Sequence, residues 1–220
     1  MTERTAADPG MPFGGFGSDW LDFFDRLGDN NTREWFKSHK DEYETQIAGP
    51  LRGLAELLEP EFGPVKIYRP YRDVRFSADK RPIQEQASLS AGDERGYGYY
   101  LQLSAEGLMV AGGLYQPARA RLETFRTLLD SEATAAEVWR QLATAAGDGL
   151  ALFEDGMLKS APRGFRRDHP QIDLLRYTRL ALTRHYGPAR WMAQASCFDR
   201  VRDDWLRIKV WIDWLADHDI

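Results

Sequence analysis

The chain has 220 residues, enough for one well-buried domain and short for two. Hydrophobic residues make up 43%, charged residues 29% and aromatic residues 12%, a globular composition rich in large buried side chains. The net charge of −5 argues against generic nucleic-acid binding, which leaves a basic footprint, and no apolar run approaches the length of a membrane span.

The single cysteine, Cys197, excludes an intramolecular disulfide and a Cys-rich zinc site. The four histidines, His39, His169, His185 and His218, are scattered, with none at i, i+4 spacing. No metal site and no cofactor motif is therefore read. The N-terminus lacks the basic start and apolar centre of a secretory signal, so the cytoplasm is the default location.

In chain order, residues 1–17 are rich in Gly, Pro and Ala and read as a flexible tail, with Phe13 and Phe16 available to pin its end. The remainder, 18–220, reads as a single domain. Ser18 is the expected cap of a first helix that turns Leu21, Phe24 and Leu27 inward and stops at Gly28. Asn31, with Glu34 three residues on, has the spacing of a capping box for the next helix. That helix buries Trp35, Phe36, Tyr43 and Ile47 and breaks at Gly49-Pro50, where Pro50 opens a third.

The character changes at Val65. The alternation in VKIYRPYRDVRFS predicts a strand over Val65–Phe76, placed at an edge because Pro70 cannot donate a ladder hydrogen bond. Two further strands, Tyr99–Ser104 and Leu108–Leu114, are joined by the short SAEG turn and are expected as antiparallel neighbours. Pro117 starts a helix with Leu122, Phe125, Leu128 and Leu129 inward, and Thr134 caps another. ALFEDGMLKSA carries an Asp-Gly suited to a small hairpin or to a helix-to-strand turn. QIDLLRYTRLALTRHY reads as a helix. The last segment, DRVRDDWLRIKVWIDWLADH, reads as a helix burying Val201, Trp205, Ile208, Ile212 and Leu215. Helices bracketing a run of strands predict an α+β fold with a small, mainly antiparallel sheet packed against several helices.

Three stretches carry candidate chemistry. YRPYRDVRFSADK, from Tyr68 to Lys80, sets Arg69, Arg72, Arg75 and Lys80 against Asp73 and Asp79. Arginine offers a planar fork that takes carboxylate or phosphate in bidentate fashion. Alternation puts Arg69 and Arg75 on one strand face with Asp73 between them, and Ser77 in the turn that follows. The same residues also suit a salt-bridged sheet face with no ligand. GGLYQP, from Gly112 to Pro117, has two glycines before a helix, which suits an anion or tight backbone packing. PRGFRRDHP brings Arg163, Arg166, Asp168 and His169 together in sequence. His169 is an acid–base candidate there, with Asp168 alternatively serving near a helix cap.

NNTREWFKSHKDEYE, YRDVRFSADKRP, GGLYQP and LKSAPRGFRRDHPQIDLLR occur in this order. Together they resemble a widespread bacterial and fungal family classified as a domain of unknown function, over nearly the whole chain from Phe16. The resemblance implies a single α+β domain with an antiparallel sheet and implies no reaction. The family's pattern continues after Asp-Lys with Pro-Tyr-Lys, whereas Ile83 and Gln84 here replace the aromatic residue and the second cation.

Three functional readings follow. The first is a site for a small anionic ligand or an acidic partner segment built from Arg69, Arg72, Arg75, Ser77, Lys80, Arg163 and Arg166. The second is an enzyme acting on a phosphorylated or carboxylated metabolite, with Asp73 or His169 as acid or base. The third is a structural protein with an internal salt-bridge cluster. None requires a cofactor, a membrane or a nucleic acid, and the oligomeric state is not readable from the sequence.

Overall fold

A computed structural model of the chain describes residues 13–73, 75, 78–93 and 95–220. Six strands form one antiparallel sheet: β1 (Val65–Ile67), β2 (Gln86–Gly92), β3 (Gly98–Ser104), β4 (Gly107–Leu114), β5 (Ala151–Leu152) and β6 (Leu180–Tyr186). Their order is β1-β2-β3-β4-β6-β5. The helices are α1 (Trp20–Asp29), α2 (Arg33–Ser38), α3 (Lys40–Tyr43), α4 (Gly49–Phe62), α5 (Arg119–Leu128), α6 (Glu132–Gly147), α7 (Ile172–Leu175) and α8 (Ser196–Asp217). The fold class is α+β, as the arrangement of periodicities predicts.

By contacts the chain divides into two compact units. The first holds the described part of Met1–Gly92 with Tyr100–Val110 and His185–Asp203; the second holds Asp93–Tyr99, Ala111–Arg184 and Asp204–Ile220.

In the first unit, α1 buries Trp20, Phe23, Phe24 and Leu27. Its cap position is Asp19 rather than Ser18, and the helix runs through Gly28 to Asp29. Thr32, not Asn31, caps α2, accepting a hydrogen bond from the Trp35 amide at 3.1 Å. The expected break at Gly49-Pro50 does not occur. A π-helical turn, Glu44–Ala48, carries the chain directly into α4, and the Gly49 amide bonds back to the Glu44 carbonyl. The wider turn removes the demand on the amide that Pro50 lacks. A Cβ at Gly49 would lie 2.9 Å from the Glu44 carbonyl oxygen, which explains glycine there. Phe13 and Phe16 are buried, and the Phe16 amide donates to Met192 O at 2.8 Å, pinning the chain as expected.

The strand expected over Val65–Phe76 ends at Ile67. β1 pairs with β2 through Val65↔Ala91, Lys66↔Ser90 and Ile67↔Leu89. Beyond it the chain folds into an irregular loop closed by the bridge Tyr71↔Ile83, with Arg72 N bonding Pro82 O and Gln84 N bonding Pro70 O. Val74, Phe76 and Ser77 lie outside the described residues. β2 was not expected at all, because QASLSAG is made of small residues with few β-branched or aromatic side chains.

In the second unit, Phe125 of α5 meets Trp211 and Trp214 of α8 edge-to-face, and those two indoles stack at 5.4 Å. Trp205, Ile208, Ile212 and Leu215 are buried, as helical spacing predicts. Ser131 rather than Thr134 caps α6. QIDLLRYTRLALTRHY is not one helix: only Ile172–Leu175 is helical, and Leu180–Tyr186 is β6. Leu180, Ala181 and Leu182 are all buried, so the strand shows a continuous apolar run in place of alternation. β5 pairs with β6 through Ala151↔Thr183 and Leu152↔Leu182, so its partner is a distant strand rather than a local hairpin.

Candidate functional site

The site belongs to the first unit and starts from Asn31. Its side-chain amide donates to Ile83 O at 3.0 Å and to Glu85 Oε1 at 2.9 Å, and its Oδ1 accepts from Ile83 N at 3.0 Å. Ile83 is itself fully buried. One asparagine thus clamps the returning limb of the 68–85 loop to the start of α2.

A second clamp is ionic. Asp79 accepts a two-pronged contact from Arg81 (Nε to Oδ1 3.0 Å, Nη2 to Oδ2 2.8 Å) and a further bond from Arg72 Nη1 at 2.5 Å. Arg81 also reaches Glu85 at 2.6 Å. The hydrogen bonds from Arg81, with those from Arg72, hold the Asp79 carboxyl far below the usual carboxylate range. Arg72 Nε donates to Gln84 Oε1 at 2.8 Å. Gln84 therefore serves here to orient Arg72, and Ile83 serves the core.

On this frame lies an open cleft of about 530 Å³, lined by Arg33, Arg69, Tyr71, Arg72, Asp73 and Arg75. The Tyr71 ring meets Phe36 edge-to-face at 5.6 Å. Arg33 precedes Phe36 by three residues on α2, so the helix that supports Tyr71 also delivers a guanidinium to the cleft. Arg75 grips Asp73 with a fork, Nε to Oδ1 at 2.9 Å and Nη2 to Oδ2 at 2.6 Å. Those bonds hold the Asp73 carboxyl below its ordinary value.

Among the described residues, four guanidinium groups therefore line the cleft against one carboxylate. Arg75 is committed to Asp73, and Arg72 to Asp79 and Gln84. Among the described residues, the side chains of Arg33 and Arg69 make no hydrogen bond and no ion pair; both are exposed, and the charge of Arg69 adds to that of Arg75 in lowering the Asp73 carboxyl.

The structure brings together Arg69, Arg72, Asp73 and Arg75 from the sequence candidates. Lys80 is exposed and does not line the cleft, and Ser77 lies outside the described residues. Arg163 and Arg166 belong to the second unit and do not line it either. Arg33 was missed because it lies some distance back in the chain. The available signal was its position one turn before an inward aromatic residue.

In the second unit, Arg166 forks onto Asp168 at 2.8 and 2.6 Å at an exposed position. Asp168 does not cap α7, which begins at Ile172 after Gln171. His169 uses both ring nitrogens: Nδ1 accepts from Gln171 N at 3.0 Å and Nε2 lies 3.1 Å from Asp130 Oδ1. An accepting Nδ1 requires the proton on Nε2, which then donates to Asp130. Gly112 and Gly113 lie inside β4, where a Cβ would meet Ile208 at 2.7 Å and Leu180 O at 2.4 Å. The pair serves backbone packing. Cys197 is buried, and burial pushes its thiol up to about 12, leaving it unreactive.

The second unit also contains a charge cluster of another kind. Asp204 is 1% exposed and lies 3.2 Å from Arg184 Nη1 and 3.6 Å from Arg207 Nη1. Arg184 also donates to Asp148 O at 2.7 Å, and Arg207 Nε lies 3.4 Å from Asp148 Oδ1.

Among the described residues no group of three or more His, Cys, Asp or Glu side chains is arranged to hold a metal ion, and no helix is long and apolar enough to cross a membrane. Searches of curated proteins and of solved structures returned no match. The profile of one family covers residues 19–214, almost the whole described chain, and the protein therefore belongs to the conserved hypothetical protein family DUF2461.

Proposed function

We propose that the protein binds a small anionic ligand, bearing phosphate or carboxylate, in the cleft lined by Arg33, Arg69, Arg72 and Arg75. The observation that carries this reading is the excess of guanidinium groups over carboxylates among the described lining residues: Arg33 and Arg69 form no ion pair there, beside two others held in position by Asp73, Asp79 and Gln84. Like charges gathered in one cleft repel one another, and an anion relieves that repulsion. Guanidinium groups remain charged at every physiological pH, so the cleft keeps its character throughout.

An acidic partner segment offers the same carboxylates, but a cleft of about 530 Å³ has the dimensions of a small-molecule site. The enzymatic reading has less to draw on. Asp73 is a weak base while Arg75 holds it ionised, and His169 spends both nitrogens on Asp130 and Gln171. The reading includes a cytoplasmic location, supported by the lone cysteine, and disfavours nucleic-acid polymers, given the net charge of −5.

A thermal-shift series with inorganic phosphate, pyrophosphate and citrate at low ionic strength tests the proposal. Binding to the native state raises the melting temperature in a saturable way. The expected result is a saturable rise for the parent protein that is lost in the Arg33→Ala/Arg69→Ala double variant. An equal rise in both proteins means that the anions act elsewhere and rejects the cleft.

A further inference from the structure

We infer that the ligand of this cleft carries a planar aromatic ring beside its anionic group, as a nucleoside monophosphate does. This rests on the anion-binding reading and adds the second half of the ligand. Tyr71 lines the cleft among the four described arginines and is 45% exposed, so part of its ring is open to a ligand. The ring is also held still. Its edge-to-face contact with Phe36 fixes its tilt, and the Tyr71↔Ile83 bridge fixes its backbone. The Arg72 N to Pro82 O and Gln84 N to Pro70 O bonds brace the two limbs around it. A rigid, partly exposed aromatic surface is what a stacking partner needs, because little side-chain freedom is lost on contact.

An oxyanion alone satisfies the guanidinium groups and leaves Tyr71 wet. A flexible aliphatic acid gains little from a ring face. A flat heterocycle stacks on the ring, and its phosphate reaches Arg33 and Arg69. A guanidinium such as that of Arg72 also offers a planar face to such a ring. The cleft is open, and its volume of about 530 Å³ leaves room for a ring beside the anionic group.

Isothermal titration calorimetry with adenosine 5′-monophosphate and with ribose 5-phosphate separates the two halves. The mononucleotide is expected to bind tighter by on the order of five- to a hundredfold, the contribution of one stacked base. Tyr71→Leu is expected to remove that advantage, weakening the mononucleotide far more than ribose 5-phosphate, while Tyr71→Phe, which preserves the ring and its packing, retains it. Equal affinities in the parent protein, or equal weakening of both ligands by Tyr71→Leu, overturn the aromatic assignment and leave the anion site standing. Absence of binding by both ligands removes the anion site and this inference together. A single-stranded oligonucleotide binding orders of magnitude tighter than the mononucleotide also overturns the assignment, in favour of a polymer.

Discussion

The arginines of the 69–75 segment and Arg184 carry the same side chain in opposite circumstances. In the first unit, Arg75 is 77% exposed, its carboxylate partner Asp73 is also solvated, and Arg33 and Arg69 form no ion pair among the described residues. In the second unit, Arg184 is 30% exposed and neutralises Asp204, which has almost no access to water. Removing charge from the first group relieves repulsion and leaves nothing buried without a partner. Removing it from the second leaves a desolvated carboxylate with less compensation. Arginine count along the chain therefore says little about function until exposure and the ratio of cations to acids are known.

The contrast is most sharply tested by Arg184→Ala. It is expected to lower the unfolding free energy in urea by about 3 kcal/mol, the cost of breaking a buried pair from one side. A loss below about 1 kcal/mol would mean that Asp204 is adequately served by its other contacts, and the contrast would fail. Next in size is the Arg33→Ala/Arg69→Ala double variant. Its affinity for inorganic phosphate should drop on the order of ten- to a hundredfold, with no fall in melting temperature, since each charge-assisted contact is strong and neither residue supports the fold.

Asn31→Ala sharpens the comparison by loosening the frame without touching a charge. It removes three hydrogen bonds and strands the Ile83 amide and carbonyl. A destabilisation of about 1–2 kcal/mol is expected by calorimetry, together with weaker anion binding. Unchanged affinity would show that the loop holds its shape without the clamp. The smallest effect is expected for Arg75→Ala, whose melting temperature should match the parent within error, because the Asp73 it releases is already solvated. A marked drop would return the segment to a structural role.

The pH dependence follows with a definite sign. Arg75 holds the Asp73 carboxyl, and Arg81 the Asp79 carboxyl, below the ordinary carboxylate value. The stability contributed by these pairs is present above the ordinary carboxylate value and is lost only as pH falls through the depressed one. Both acids therefore stay ionised between pH 5 and pH 8, by the measure of an ordinary carboxylate near pH ~4. In that window neither Asp73 nor Asp79 changes its charge, so affinity is expected to follow the ligand. A phosphate monoester, which loses its second proton near pH ~6, should bind more tightly as pH rises from about 5 to 7, whereas sulfate should not change. A sulfate affinity that rises or falls across the window would reveal a titrating group in the cleft.

Much of the fold was legible where one physical signal dominated. The apolar stripe of α8 and the alternation of β3 before a tight turn and a second strand each point to one structure. β6 reads as a helix because its first three residues, Leu180, Ala181 and Leu182, are all buried and so break the alternation, and Leu174, Leu175 and Leu180 then mimic a helix. The Gly49-Pro50 break failed because a π turn supplies the geometry that a proline otherwise forbids. At the site, the arginine-rich run was visible as a charge anomaly in an acidic chain. The contribution of Arg33, the clamp made by Asn31 and the placement of Tyr71 on Phe36 depend on contacts between segments that sequence spacing does not encode. Asn31 in particular looks like a helix cap, because capping and loop-clamping use the same short amide side chain.

The central claim, that the arginine cleft holds an anion, is most directly tested by nitrogen-15 NMR of the arginine Nε–H groups during titration with inorganic phosphate. The account predicts saturable shifts confined to Arg33, Arg69 and their cleft neighbours, with Arg184 and Arg166 unmoved. Shifts that grow linearly and spread across the exposed arginines of both units would contradict it.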